Sequence, residues 1–165
     1  MLILTIATTN NLNVWIATEC NLIINVYFPI TCHEKYEECI MCLGILNSIL
    51  VSHDEDHVWI LGNFNATPGS PRFNEICDML HENNVMFRDT DILPDKTYTH
   101  VNNGSQTCSW LNHITMSDVL SESSVDCRTL QVVACSDHCA LCNYSYINIW
   151  TTANDTQHRV KRQST

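Results

Sequence analysis

Four short polar sets stand at the ends of apolar runs: "NVYFP" (25–29), "GNFN" (62–65), "SWLNHI" (109–114) and "SDH" (136–138). Between them they offer the phenol of Tyr27, the amides of Asn63, Asn65 and Asn112, the carboxylate of Asp137 and the imidazole of His138. Metal-assisted phosphodiester hydrolysis draws on groups of this kind. One or two carboxylates hold the ion, an acceptor orients the water, and a cation or imidazole stabilises charge on the phosphorus oxygens. Such groups work when a rigid sheet projects them from strand ends into a cleft. Singly, each set is weak: GNFN alone reads as a turn, and Ser-Asp-His alone as a capped loop.

The elements needed to position them are legible. Residues 2–8, 13–18 and 22–28 are rich in Ile, Val, Leu, Thr and Tyr and read as three strands separated by Asn-rich turns. Pro29 ends the third. Tyr36, Ile40, Leu43, Leu46 and Leu50 recur at helical spacing, which predicts a helix over 34–51 with Glu34, Glu37 and Glu38 in its first turn. "VWIL" (58–61) is an all-apolar strand covered on both faces. Ser70 and Pro71 open a second helix over 71–82, with Phe73, Ile76, Cys77 and Leu80 on one side. Then follow a loop (86–94), a strand (96–101), a tight turn (102–106), a strand (107–117) and two closing strands (127–135 and 136–150). Residues 151–165 have no apolar period and read as a disordered tail.

In this order and at these separations the sets resemble the endonuclease/exonuclease/phosphatase superfamily. That family reads Y-x-P, G-D-[FL]-N, S-x-[LI]-D-[HY]-[IV] and S-D-H-x-x-[LV]. "ILGNFNATPGSPRF", "TYTH", "SWLNHI" and "SDHCAL" are most similar to the branch of LINE-type retrotransposon endonucleases. The resemblance covers residues 20–147. It implies an α/β (α+β type) domain over 1–150, part of a two-sheet β-sandwich flanked by helices, acting on DNA with magnesium. It also implies roles. Tyr27 would contact the scissile phosphate, and Asn65 would hold the attacking water or a phosphate oxygen. Asp137 would contact the metal, and His138 would stabilise the transition-state phosphate.

The departures from the pattern fall on its acids. Asn63 stands where the family has the aspartate that orients or deprotonates the water, and Asn112 where it has the aspartate that braces the histidine. Asparagine keeps the shape, but its amide is neither a base nor a charge. Losing general-base assistance costs about 10²–10⁴-fold. Removing the carboxylate behind a catalytic histidine disturbs its tautomer and charged form. The family's first half carries an asparagine and a metal-binding glutamate that find no counterpart here. Glu19, beside Cys20 in a turn, does not replace the latter. The expectation is an N-terminally truncated, degenerate member, weakly active or inactive.

Composition bounds the alternatives. With 45% hydrophobic and 16% charged residues the chain is globular. Its net charge is −10, and residues 1–150 carry 17 acids against 5 bases. That is the opposite of the basic face of a general nucleic-acid binder. No 18-residue apolar span exists, and "MLILTIATTNNLNVW" lacks the basic region and continuous apolar run of a secretion signal, so an intracellular chain, nuclear or cytoplasmic, is expected. "RVKR" (159–162) is too short to specify import. The sequons at Asn65, Asn103, Asn143 and Asn154 read as chance in an Asn-rich chain. Ten cysteines include two CxxC pairs, Cys39/Cys42 and Cys139/Cys142. Their alternatives are buried thiols acting as small hydrophobes, or a zinc or disulfide interaction module with no catalysis.

Overall fold

The computed structural model describes residues 2–8, 11–17, 21–30, 35–53, 57–121, 124–130 and 136–145. The segments 131–135 and 146–165, with Glu19, Cys20 and the expected tail, lie outside them.

The fold is α/β, built on a six-stranded sheet. β1 (Leu2–Thr8), β2 (Asn11–Ala17) and β3 (Asn21–Tyr27) form an antiparallel meander. Helix α1 (Tyr36–Ser52) then crosses over, so that β4 (His57–Asn63) pairs parallel to β3. Two strands from later in the chain complete the sheet: β5 (Val85–Phe87) and β8 (Asn112–Ser117), in the order β1-β2-β3-β4-β8-β5. Helix α2 (Pro71–Glu82) starts as the sequence predicts: Pro71 is at its head and Ser70 Oγ accepts from the Phe73 N–H at 3.2 Å.

Strand alternation divides the core in two. Leu22, Ile24 and Val26 of β3, Val58 and Ile60 of β4, and Val85 and Phe87 of β5 face the helices, where Cys42, Leu46 and Leu50 of α1 and Phe73, Ile76 and Leu80 of α2 bury them. On the other face Trp59, Leu61, Ile114 and Met116 pack with Cys127 and Leu141. These last two come from a second, two-stranded sheet, β9 (Ser124–Leu130) paired with β10 (Ala140–Ser145). Between β10 and the outer faces of β3, β4 and β8 lies an open cleft, lined by Asn25, Leu61, Asn63, Asn112, Leu141 and Tyr144.

Three stretches differ from the sequence expectation. The expected loop 86–94 holds most of β5 and a short helix α3 (Arg88–Ile92), because the Asp89 carboxylate is drawn into the core to accept from Trp110 Nε1 (2.9 Å) and the Ile114 N–H (3.1 Å). The expected strand 96–101 shrinks to β6 (His100–Asn102), since buried Thr99 turns its hydroxyl to the Leu111 and Asn112 N–H groups, both at 2.8 Å. For the same reason the strand expected over 107–117 breaks into β7 (Thr107–Ser109), the partner of β6, and β8. At the break Leu111 C=O accepts from the Phe64 N–H at 2.9 Å. Helix α4 (Asp118–Ser121) follows β8. Among the described residues no helix is long and apolar enough to cross a membrane.

Candidate active site

Register builds the site first. Tyr27 of β3 pairs with Asn63 of β4, and Asn63 pairs with Asn112 of β8. Alternation puts all three on the outer face of the sheet, at one end of three adjacent strands. Asn63 and Asn112 line the cleft there; Tyr27 does not line it and is 42% exposed.

The turn after β4 is fixed by close packing. A Cβ at Gly62 would lie 2.1 Å from the Val26 carbonyl oxygen, and the backbone sits at φ +137, so no other residue fits. Phe64 is wholly buried against Phe28 and Phe87. Asn63 Oδ1 accepts from the Asn65 N–H at 2.8 Å, and Asn65, left-handed at φ +48, donates its amide to Phe28 C=O at 2.6 Å. Two N–H groups of Asn65, one backbone and one side-chain, and one lone pair of Asn63 are therefore spent on the turn itself.

The Ser-Asp-His bend reaches the row through backbone bonds. The Val101 N–H donates to Asp137 C=O and the Cys139 N–H to Thr99 C=O, each at 2.8 Å. The His138 N–H donates to Ser136 Oγ at 3.0 Å. This delivers His138 Nδ1 to 3.2 Å from Asn112 Oδ1, while Asn112 Nδ2 donates to Cys139 C=O at 3.1 Å. Asp137 lies beside it with an exposed side chain. Burial, and then the neighbouring His100, hold His138 below the usual imidazole range, with Asp137 pulling the other way.

With this arrangement defined, known proteins can be compared. No family model and no curated protein matches the chain in sequence. Solved structures do match in shape. A 3'-5' exonuclease (NExo) from Neisseria meningitidis aligns with TM-score 0.67 and 14% identity, over 83% of this chain and 65% of that one. An AP endonuclease from Archaeoglobus fulgidus aligns with TM-score 0.67 and 18% identity over the same shares. The endonuclease domain of TRAS1, a telomere-specific non-LTR retrotransposon, aligns with TM-score 0.60 and 14% identity, over 88% of this chain and 70% of that one. The chain has the endonuclease/exonuclease/phosphatase fold. It spans 65% of the length of the NExo and Archaeoglobus proteins.

Two residues of this endonuclease/exonuclease/phosphatase fold escape a motif reading. Asp89 is wholly buried and takes three donors: Trp110 Nε1, the Ile114 N–H and His113 Nδ1 at 2.8 Å. In sequence it sits in the polar run Arg88-Asp89-Thr90-Asp91, which reads as a loop. His100 stands against His138, with ring centroids 4.8 Å apart, and its Nε2 is 3.6 Å from Asp137 Oδ2. The string "TYTH" contained it, without a sign of what it would face.

The cysteines divide by burial. Cys39, Cys42, Cys127 and Cys139 are buried, and no described cysteine joins a cluster of three or more metal-ligating groups. Burial above all, with Asp89 adding, pushes the Cys127 thiol up to about 11. This geometry does not favour the zinc or disulfide module.

Proposed function

We propose that the chain is a degenerate phosphodiesterase domain that approaches nucleic-acid phosphates with Tyr27, Asn65 and His138 and cleaves them slowly or not at all. The observation that carries this is the Asn112–His138 pair. An amide oxygen stands 3.2 Å from Nδ1, and the other end of the amide is held by a backbone carbonyl, so the neutral partner is fixed in place. A carboxylate there would stabilise an imidazolium; an amide oxygen accepts the Nδ1 proton and adds no charge.

The fit to magnesium is poor. Magnesium dehydrates reluctantly and is held by anionic oxygens. The described donors of the site are one exposed carboxylate, Asp137, and amide oxygens of which Asn63 Oδ1 and Asn112 Oδ1 already accept hydrogen bonds. The net charge of −10 also repels DNA phosphates.

The test is nicking of supercoiled plasmid with magnesium. The unmodified chain should give no detectable product, and Asn63→Asp alone little rescue; the pair Asn63→Asp with Asn112→Asp is the variant with the best chance of any. Robust magnesium-dependent cleavage by the unmodified chain, abolished by His138→Ala, would overturn the proposal.

A further inference from the structure

Beside the row of amides lies a cluster that the motif roles do not use as a unit. His100 of β6 and Asp137 and His138 of the bend each offer one ligand atom, and these three atoms lie within 4.8 Å of one another. Their placement is set by backbone. His100 and His138 form an antiparallel bridge, and the Val101→Asp137 and Cys139→Thr99 hydrogen bonds flank it.

The donor atoms are also oriented. Asn112 Nδ2 is committed to Cys139 C=O, so Asn112 Oδ1 faces His138 Nδ1. An amide oxygen only accepts, so Nδ1 carries the proton and Nε2 keeps its lone pair. A metal-bound histidine is held in this way, with its second ring N–H donating to an oxygen. Among the described residues His100 has no comparable tie: its Nδ1 is buried without a hydrogen-bond partner, and its Nε2 makes a 3.6 Å approach to Asp137.

We infer that His100, Asp137 and His138 bind a borderline divalent transition ion, of the zinc, cobalt or nickel class. Two imidazoles with one carboxylate suit such ions, whereas magnesium prefers oxygen alone. Bonds of about 2.0–2.2 Å place the ligands of a tetrahedral ion about 3.3 Å apart. The His100–Asp137 separation is already near that value, and the exposed Asp137 side chain can supply the remaining adjustment. The half-exposed position leaves room for water in the rest of the coordination shell. The inference goes beyond the phosphodiesterase reading. An ion on Nε2 would occupy the nitrogen that a phosphate requires, so the two uses of His138 compete.

The experiment is a cobalt(II) titration of the full chain without nucleic acid, followed by visible and near-ultraviolet absorption. One ion should bind per chain, with visible ligand-field bands and no thiolate charge-transfer band, which separates the site from the ten cysteines. His100→Ala and His138→Ala should each weaken binding about 10-fold or more, at least what loss of an outer-shell partner costs. Proton spectra of the unsubstituted chain add a readout that needs no variant: ring signals of two imidazoles should move with cobalt. Absence of binding, a thiolate band, affinity unchanged from the unsubstituted chain in either variant, or no shifted imidazole would overturn the inference. Plasmid nicking enters none of these readouts, so the nuclease reading can fail while this one stands, and the reverse.

Discussion

His113 and His138 approach the same end of the sheet from opposite sides. His113 points from β8 into the helix-covered core and is wholly buried. Its Nδ1 lies 2.8 Å from Asp89 Oδ2 and its Nε2 2.8 Å from Ala66 C=O. Both partners are acceptors, and one of them is a buried carboxylate. His138 lies half-buried on the outer side, has an amide for a partner, and keeps one nitrogen uncommitted by that bond. The difference teaches what the partner decides. A buried carboxylate ties an imidazole into the core, where no substrate reaches it. An amide at the cleft leaves it neutral, a ligand and hydrogen-bond donor without charge to offer a phosphate.

Removing the carboxylate from the first pair should have the largest effect. Asp89→Ala strands His113 Nδ1, the Trp110 indole and the Ile114 N–H together. Breaking a buried pair from one side costs about 3–5 kcal/mol. Urea unfolding of this variant should show such a loss, or leave no folded chain to measure. A loss below about 1 kcal/mol would mean that Asp89 does not hold His113 in the core and the contrast with His138 is unfounded.

The turn that carries Asn63 and Asn65 supplies the next effect. Gly62→Ala drives a Cβ into the Val26 carbonyl at a backbone angle that L-residues rarely adopt. The conformation alone costs about 1–3 kcal/mol, and relief requires β3 and β4 to part where Tyr27 meets Asn63. Unfolding midpoints should fall accordingly. An unchanged midpoint would show that the parallel pairing is looser than the register implies.

Much of this was legible because local signals and global packing agree. Ser70-Pro71 started a helix, the β-branched and apolar run over 22–28 defined a strand, and two of the polar sets marked the ends of β3 and β4. The illegible parts are those decided by one distant atom. Nothing near Asp89 announces that Trp110 and His113 will fold over it, and Thr99 breaks a strand only through a hydroxyl aimed at residues 12 and 13 positions away. His100 was in plain view, but its importance depends on a bridge to His138, across 38 positions of chain.

The comparison sharpens again with pH, in chelated, metal-free buffer. Groups facing His138 are His100, Asp137 and the Asn112 amide. Its proton affinity is lowered in the fold, so the folded chain binds fewer protons than the unfolded one. Its share of stability is present above the ordinary imidazole value of 6.5 and is lost as pH falls through that value toward the lowered one. Asn112→Asp sets a carboxylate against Nδ1, which should raise the titration midpoint of His138 and flatten that loss. Ring-proton titration reads both chains directly. A midpoint at or above the ordinary value with Asn112 in place would remove the distinction between the two histidines.

The smallest effect is on thiol chemistry, which tests whether the outer core around Leu141 is as closed as the helix side. Cys127 is buried between β8 and β10, and its thiol is pushed up to about 11 by burial first, then by Asp89, Asp126 and Cys142. Cys77 is held at about 11 by burial and Asp78. At pH 8 a thiol with that affinity is about one part in a thousand thiolate, and the thiolate is the nucleophile. Cys108, exposed on β7, carries no such steric shield. Limited alkylation at pH 8, read by mass spectrometry of peptides, should therefore label Cys108 well before Cys77 and Cys127 while the chain keeps its fold. Equal labelling of Cys127 would show that the β9–β10 pair lifts off the sheet. The cleft beside Asn112 and His138 would then be wider than its lining residues indicate, and the amide–imidazole pair would lose the wall that orients it.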